Sequence, residues 1–340
     1  MDTFVLLSDE ERRAYFETAA EKLGLAPELV EKDFWVCWIL RRLFSLKDIG
    51  AHLTFKGGTS LSKVYKTIRR FSEDVDVSIE RSYLGFGDKM EPEAGKSNKE
   101  KMRRIEGLQQ ACQNAVIEII LPQLTQETGK SLKDTSTWAI NLDPDDRDKQ
   151  TLSFQFPNAV TTSMEAYSKP AVKIELGARS DHWPVESADI TPYLYDIIPK
   201  SIAGPKTSLR VLSAERTFWE KATILHMLYH LPADKNLPLR MSRHYYDTSA
   251  LSQTPICERA LKATELLARV AEHKKLFFRS TWANYDKAKP GTLRLVPSTE
   301  RINSLKNDYR QMEPMFFDKP PNFDIIIQEL IKLEKRINSN

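Results

Sequence analysis

Residues 55–79, FKGGTSLSKVYKTIRRFSEDVDVSI, combine a double glycine with two closely spaced aspartates. Asp74 and Asp76 lie two residues apart on a predicted strand, and because strand side chains alternate between faces, both carboxylates project from the same side. Two unpaired carboxylates are costly to bury, and a divalent cation would offset that cost. Mg²⁺ favours one or two carboxylates together with the oxygens of a substrate phosphate. The pair therefore predicts metal-assisted chemistry on a nucleotide.

The double glycine lies upstream of the aspartates, where a strand is expected to turn into a helix. Gly57 and Gly58 are followed by Thr59 and Ser60, and backbone N–H groups at the start of a helix can hold a phosphate. The turn is not a Walker loop, because no G-K-[ST] closes it at the required distance. We expect these four residues to bind the phosphates of the nucleotide, with Mg²⁺ or Mn²⁺ held by the aspartates.

A third carboxylate is expected on a neighbouring strand. Glu175 is the candidate, because it is a polar residue in the otherwise apolar pattern VKIEL, two positions after Lys173. Three carboxylates could hold one or two metal ions that bridge a triphosphate and lower the pKa of an attacking hydroxyl. Lys173 is then a candidate nucleotide-binding residue. The alternative is a surface salt bridge between Glu175 and Lys173.

The elements that must position these residues divide the chain into an α/β half and a helical half. Strands are predicted at 52–56, 74–79, 137–142, 151–156 and 171–176, with helices at 8–23, 27–44, 59–68 and 101–124. A proline-rich stretch, 177–205, is expected to wind without a long element. Further helices are predicted at 214–230, 243–252, 256–273, 300–312 and 322–337. The fold expected is α+β, with a mixed sheet flanked by helices in residues 1–205 and a helical domain in residues 206–340.

The composition is that of an ordinary globular protein. The 340 residues are 41% hydrophobic and 29% charged, and no apolar run reaches the roughly 18 residues that a membrane-spanning helix needs. The N-terminus lacks the basic and apolar regions of a signal peptide. Three scattered cysteines are too few for a disulfide framework. The sequence therefore predicts a reduced, cytoplasmic protein.

Positive charge is concentrated in part of the helical half. Residues 231–310 contain 15 Lys and Arg against 8 Asp and Glu, in a chain whose net charge is only +3. A basic region attracts a polyanion, and here Lys274, Lys275 and Arg279 alternate with aromatic residues, as RNA-contacting surfaces often do. The alternative places the aromatic rings in the core and the cations on a solvated helical face.

Four motifs, in the same order along the chain, resemble those of a known family. GGTSLSKVY, SEDVDV and KIEL resemble the glycine-serine and D-x-D motifs of the DNA polymerase beta-like nucleotidyltransferases. A more specific similarity is to the AbiE-type (AbiEii/AbiGii) toxin nucleotidyltransferases of bacterial abortive-infection and toxin–antitoxin systems. Residues 215–221, ERTFWEK, and 242–247, SRHYYD, look like the third and fourth motifs of that family. Several motifs in the right order are far more specific than any one of them.

The resemblance implies the fold of a polymerase beta-like nucleotidyltransferase and a set of residue roles. Lys221 is expected to neutralise developing phosphate charge. Asp247 is expected to orient Lys221 or Arg243, or to act as a base. Ser72 matches a polar position near the nucleotide. Glu175 stands where the family has a variable third carboxylate, and it is expected to be a metal ligand or a base.

The resemblance also implies a biological role, that of a toxin in phage defence. Relatives transfer a nucleotide from an NTP with Mg²⁺, and some modify the acceptor end of tRNA, which blocks translation. A nearby gene would encode an antitoxin that offsets the toxin without a stable complex, the type IV arrangement. Two alternatives stay open: transfer to a protein or a small molecule such as an aminoglycoside, and an NTP-binding module without turnover. The cationic aminoglycoside is disfavoured by the basic helical half.

Overall fold

The computed structural model describes residues 1–72, 74–160 and 170–339. Its helices and strands form an α+β fold, as predicted. The helices are α1 (Asp9–Leu23), α2 (Pro27–Phe44), α3 (Gly57–Lys63), α4 (Asn98–Ala115), α5 (Leu121–Ser131), α6 (Lys200–Ala203), α7 (Ala214–Tyr229), α8 (Ser242–Ser252), α9 (Pro255–Lys262), α10 (Thr264–Phe277), α11 (Ile302–Gln311) and α12 (Phe323–Asn338). The strands are β1 (Leu53–Lys56), β2 (Asp74–Ile79), β3 (Ala139–Leu142), β4 (Thr151–Gln155), β5 (Ala171–Gly177), β6 (Val185–Ile190) and β7 (Thr207–Leu212).

Within the described residues, seven strands form one mixed sheet in the order β3-β4-β5-β2-β1-β7-β6. Strand β2 pairs antiparallel with β1 and parallel with β5, and β1 also pairs parallel with β7. Strand β4 pairs antiparallel with both β3 and β5. The strand that carries the two aspartates therefore lies in the middle of the sheet, directly beside the strand that carries Glu175.

Alternation along β2 separates a buried face from a polar face. Val75 and Val77 are fully buried, whereas Asp74 and Asp76 are half-buried. This pattern is the one predicted for a strand with one face on the core. The carboxylates are therefore kept out of the apolar layer by the period of the strand itself.

Helix α2 supplies much of the apolar layer. The Trp35 and Trp38 rings are fully buried and stack on Phe156 and Phe154, with centroid separations of 5.6 and 5.9 Å. Stacked aromatic rings bury large areas and favour a single arrangement. The contact fixes α2 against β4 and the segment that follows it.

Helix α3 is shorter than predicted. It ends at Lys63, whereas the sequence pattern predicted a helix to Ile68; Lys66 adopts a left-handed conformation with φ of 52°, which a right-handed helix cannot include. The Lys63 ammonium donates to Asp33 at 2.5 Å, and the backbone N–H of Tyr193 donates to the same carboxylate at 2.6 Å. This buried ion pair anchors α3 to α2.

Two strands and one helix break differ from the sequence-based prediction. Strand β6 lies within the stretch that was expected to wind, and β7 follows it directly. Strands can form there because Pro184, Pro192 and Pro205 flank them instead of interrupting them. Phe55 on β1 pairs with Val211 on β7. The helix predicted at 256–273 is broken at Ala263, where the backbone leaves the helical region with ψ of 59°.

The chain packs as two compact units. Unit 1 comprises Met1–Val64 and Phe71–Val211, and unit 2 comprises Tyr65–Arg70 and Leu212–Asn340. Unit 2 therefore takes six residues from the segment between α3 and β2 and adds α7 to α12. The domain boundary near residue 205 stays a prediction. Within the described ranges, no helix combines the length and apolar character needed to cross a membrane.

Candidate functional site

The candidate carboxylates of unit 1 share one face of the sheet. In the parallel register of β2 and β5, Asp74 lies opposite Lys173 and Asp76 lies opposite Glu175. Residues directly opposite on neighbouring strands share a face and lie close together. Lys173 and Glu175 are exposed. Strand register thus places the three carboxylates that the sequence proposed for metal binding on one face of the sheet.

Two lysines accompany these carboxylates. Lys56 lies opposite Asp76 on β1, and its Nζ is 3.7 Å from Asp76 Oδ1. The Lys173 Nζ is 2.5 Å from Asp143 Oδ2, and this hydrogen bond raises the pKa of Lys173 and lowers the pKa of Asp143. Sequence reasoning missed Lys56 and Asp143, because their partners are set by strand register.

The glycine turn packs directly against an aspartate. Gly57 has a φ of 76°, and a Cβ placed on it would lie 1.9 Å from Asp76 Oδ2, so only glycine fits. The Thr59 hydroxyl donates to the backbone carbonyl of Asp74, and the Ser60 hydroxyl donates to the carbonyl of Gly57 at 2.8 Å. The Thr59 hydroxyl therefore holds the turn against β2, and the Ser60 hydroxyl bonds within the turn itself. A direct contact with nucleotide stays a prediction for both.

The donor set fits a metal ion that is bound together with phosphate. Among the described residues, no group of three or more His, Cys, Asp or Glu side chains is arranged to hold a metal ion by itself. Mg²⁺ does not require such a cage, since it commonly takes one or two carboxylates and completes its shell with water and phosphate oxygens. Asp74 and Asp76 meet that requirement, and the nearby Gly58 and Ser72 are half-buried. Glu175 as a third ligand stays a prediction.

His182 contacts the same polar face without joining the carboxylates. Its Nδ1 lies 3.1 Å from Thr54 Oγ1 on β1, and its Nε2 lies 2.7 Å from Ser78 Oγ on β2. Burial lowers the pKa of His182 to about 4, so the ring is neutral near pH 7. The imidazole therefore links β1 and β2.

An open cavity of about 200 Å³ lies beyond the end of β2. It is lined by Glu80, Arg81, Ser82, Glu91, Ser180, Asp181, His182 and Trp183. Three carboxylates against one guanidinium make this lining unfavourable for a triphosphate. The guanidinium also donates to the carbonyls of Ala178 and Arg179. We therefore place no phosphate group in this cavity.

Unit 2 contains a buried ion cluster built on the third and fourth motifs. Asp247 on α8 is fully buried and accepts two hydrogen bonds of 2.7 Å from Arg70, one from Nε and one from an Nη. The ammonium of Lys221 on α7 donates to the same carboxylate at 2.7 Å. The structure thus joins the two motif residues in one ion pair and adds an arginine from the segment before β2.

The electrostatics of this cluster leave an excess of positive charge. Burial alone would raise the pKa of Asp247, but Arg70 and Lys221 lower it well below its usual range. Burial lowers the pKa of Lys221, and the charges of Arg70 and the half-buried Arg243 lower it further. Asp247 acts in the opposite direction and raises it. One ionised carboxylate therefore serves two buried cations, an arrangement that attracts a further anion.

Sequence reasoning did not identify Arg70 or His244 as members of this cluster. Arg70 follows Arg69 in the sequence, and nothing local shows that one is buried against Asp247 while the other forms an exposed pair with Asp318. His244 has a buried Nδ1 without a partner in the described part of the chain. Burial lowers its pKa well below the usual range.

The basic and aromatic segment at the end of α10 has a mixed environment. Phe277 is buried, as the core alternative predicted, whereas Phe278 is 42% exposed. Lys275 is exposed and paired with Asp286, while Lys274 is only 8% exposed. The two adjacent lysines therefore cannot have the same role.

A comparison with known families decides the identity of the fold and its chemistry. The sequence profile described as "Nucleotidyl transferase AbiEii toxin, Type IV TA system" matches residues 38–329. The chain belongs to the AbiEii toxin family. This confirms the predicted resemblance, and the match includes the glycine turn, the D-x-D strand and both motifs of unit 2. As an AbiEii-family member, the protein is a nucleotidyltransferase toxin of a type IV toxin–antitoxin system, with an NTP as substrate and an antitoxin as partner.

Two solved structures are similar to this AbiEii-family chain at 14% identity. MenT4, a nucleotidyltransferase toxin from Mycobacterium tuberculosis H37Rv, aligns over 87% of this chain and 98% of its own with a TM-score of 0.37. JHP933 from Helicobacter pylori aligns over 93% of this chain and 94% of its own with a TM-score of 0.40. No curated protein sequence matches the chain significantly.

Proposed function

We propose that this AbiEii-family toxin transfers a nucleotide from an Mg²⁺-bound NTP to a hydroxyl of RNA, with the acceptor end of tRNA as the target. The RNA hydroxyl gives its proton to a base or to solvent as its oxygen forms a bond to the α-phosphorus, the bond from that phosphorus to the bridging oxygen breaks, and pyrophosphate leaves. The observation that carries the proposal is the packing of the Gly57 turn against Asp76. This packing supports the proposal because the backbone expected to bind phosphate lies beside a candidate metal ligand.

In unit 1, Asp74 and Asp76 would hold the metal ion, with Glu175 as a further ligand or a base. When bound, Mg²⁺ or Mn²⁺ neutralises phosphate charge and lowers the pKa of the attacking hydroxyl. The backbone N–H groups of Gly57 and Gly58 would donate to phosphate oxygens. In this assignment the Thr59 and Ser60 hydroxyls keep the turn in place, and Ser72 and Lys173 contact the nucleotide.

In unit 2, Lys221 would neutralise charge that develops on the phosphates, with Arg243 as a second cation. Asp247 would orient Lys221 and would not act as a base, because its carboxylate accepts three hydrogen bonds from cations and its pKa is lowered well below the usual range. A group whose pKa lies so far below neutral accepts a proton poorly. Arg70 would lock this arrangement through its two-pronged contact.

The RNA assignment rests on charge. The basic stretch 231–310 belongs to unit 2, and Lys275 and Arg279 within it are exposed. Exposed cations supply the salt-sensitive part of RNA affinity. We further propose that the toxin acts in the cytoplasm in defence against phage, and that its antitoxin is encoded nearby and offsets it without a stable complex.

The test is label transfer from each α-labelled NTP in the presence of total tRNA, with Mg²⁺, with Mn²⁺ and with a chelator. We expect label in tRNA that depends on the metal and disappears in Asp76→Asn. The absence of transfer from every NTP, beside an active relative as positive control, would contradict the catalytic proposal. Label found in protein or in an aminoglycoside would show that the acceptor is not RNA. NTP binding without pyrophosphate release would indicate a nucleotide sensor.

A further inference from the structure

A second lysine of unit 2 contacts the turn that carries Lys221. Lys274 on α10 is 8% exposed, and its ammonium donates to the backbone carbonyl of Glu220 at 2.7 Å. The Thr223 hydroxyl donates to the same carbonyl at 2.9 Å. Glu220 immediately precedes Lys221 in α7, so this hydrogen bond ties α10 to the residue that the reaction is proposed to use.

The Lys274 ammonium has no carboxylate within 4.0 Å among the described residues. The Glu220 carboxylate, whose charge acts on Lys274, is engaged with Arg216 at 3.3 Å. The charged groups that act on Lys274 are Glu220, Arg216 and Lys221, all on α7. Burial lowers the pKa of Lys274 to about 7; Glu220 opposes this effect, and Arg216 and Lys221 strengthen it.

A purely structural role does not account for this arrangement. Burying an ammonium group without a carboxylate partner costs stability, and an apolar side chain of similar length would pack at the same place without that cost. A hydrogen bond to a carbonyl that already accepts from Thr223 offsets only part of it. The presence of a lysine at this buried position is better explained if its charge helps to attract an anion.

We infer that Lys274 is a positioning residue that acts through Lys221, fixing the Glu220–Lys221 turn and adding a second ammonium charge that attracts nucleotide phosphate. This inference rests on the proposed function, in which Lys221 meets phosphate. Lys274 itself need not touch the nucleotide. Because the repulsion between two cations is reciprocal, an anion that neutralises Lys221 favours the protonated form of Lys274. Nucleotide binding near neutral pH should therefore be accompanied by proton uptake at Lys274.

The coupling between the two lysines can be measured without any nucleotide. In protein labelled with ¹³C at the lysine ε carbons, the resonance missing from Lys274→Arg identifies Lys274. We expect it to titrate near neutral pH and to shift measurably toward its ordinary value in Lys221→Met. An unchanged titration in Lys221→Met, or titration of Lys274 at the ordinary lysine value, would overturn the inference even if the enzyme transfers nucleotides.

The effect on phosphate binding is measured by calorimetry with each Mg²⁺-bound NTP, in buffers of different ionisation enthalpy. For the natural chain we expect affinity to fall about tenfold as pH rises from about 6 to about 8.5, with uptake of about half a proton near pH 7.5 beyond that of the ligand. Lys274→Met should lose both effects and bind about tenfold more weakly at the lower pH. Lys274→Arg, which keeps its charge, should bind tightly at both values.

Lys332→Met is the matched control, since Lys332 in the same unit is exposed and paired with Glu329, and it should bind each NTP as the natural chain does. Lys274→Met should unfold at the same or a higher denaturant concentration than the natural chain, which separates a loss of affinity from a loss of structure. Equal pH dependence in Lys274→Met and the natural chain would overturn the inference. Failure of the natural chain to bind any NTP would overturn the proposed function, and with it the phosphate-binding part of this inference.

Discussion

The polar sheet face of unit 1 and the buried ion cluster of unit 2 hold their charged side chains in different environments, one partly open to solvent and one fully buried. Asp74 and Asp76 are half-buried at the edge of solvent, and Glu175 beside them is exposed. Asp247 is fully buried, and two cations compensate it with hydrogen bonds of 2.7 Å. The first arrangement keeps its carboxylates in contact with solvent, where charge costs little, whereas the buried carboxylate of the second must be neutralised within the protein itself.

This difference separates function from stability. Removing a carboxylate from the sheet face should remove metal binding and leave the fold intact. Removing the carboxylate of Asp247 leaves two cations buried without an anion, and the fold should weaken together with the activity. We therefore expect variants of the sheet face to lose activity but little stability, and variants of the ion cluster to lose stability as well. The variants below test that contrast.

Asp76→Asn should have the largest effect on activity. The amide keeps the shape of the side chain but removes the charge that a metal ion needs, so transfer should fall on the order of 10³-fold, equal to about 4 kcal/mol. The free energy of unfolding should change by no more than about 0.5 kcal/mol. Label transfer and urea denaturation measure the two quantities. Asp148→Asn, in an exposed turn, is the control, and a parallel loss of stability in Asp76→Asn would contradict the contrast.

Asp247→Ala should have the largest effect on stability. Arg70 and Lys221 lose their shared partner while buried, and such a change costs about 3–5 kcal/mol. Urea denaturation of this variant can be compared with that of Asp318→Ala. Asp318 pairs with the neighbouring Arg69 on the surface, so its removal should change stability little. Equal unfolding midpoints for the two variants would show that the buried cluster does not hold unit 2 together.

Gly57→Ala should affect both activity and stability. A methyl group there meets Asp76 Oδ2 and also disfavours the φ of 76°, at a combined cost of about 1–3 kcal/mol. Gly85→Ala is the matched control, because Gly85 has a φ of 83° and nothing within 4 Å of an added Cβ. Activity should fall only in Gly57→Ala, whereas a similar loss in both variants would attribute the effect to backbone strain alone.

The last prediction concerns the pH dependence of stability. The pKa of Lys274 is about 7 in the folded protein and 10.5 as its ordinary value, so the unfolded chain binds more protons between these values. The free energy of unfolding of the natural chain should therefore rise with pH through this window. Denaturation at several pH values should give a flatter dependence for Lys274→Met. An identical slope would show that Lys274 is charged at neutral pH.

Local pattern was enough to predict the elements that carry the site. Alternation predicted β2 with both aspartates on one face, and helical periodicity predicted α1 within residues 8–23. The motif order also predicted the AbiEii family. The errors lie where long-range pairing decides the structure: β7 is held by β1, and α3 ends early where Lys66 takes a left-handed conformation.

The sequence by itself determined which chemistry this chain can perform, because residue type and period place two carboxylates and a glycine turn next to each other within 25 residues. Only the tertiary structure decided which charges are buried together. Arg70 meets Asp247 from 177 residues away, and Lys274 meets the Glu220 carbonyl from 54 residues away. Packing of distant elements sets such contacts, and no local periodicity encodes them.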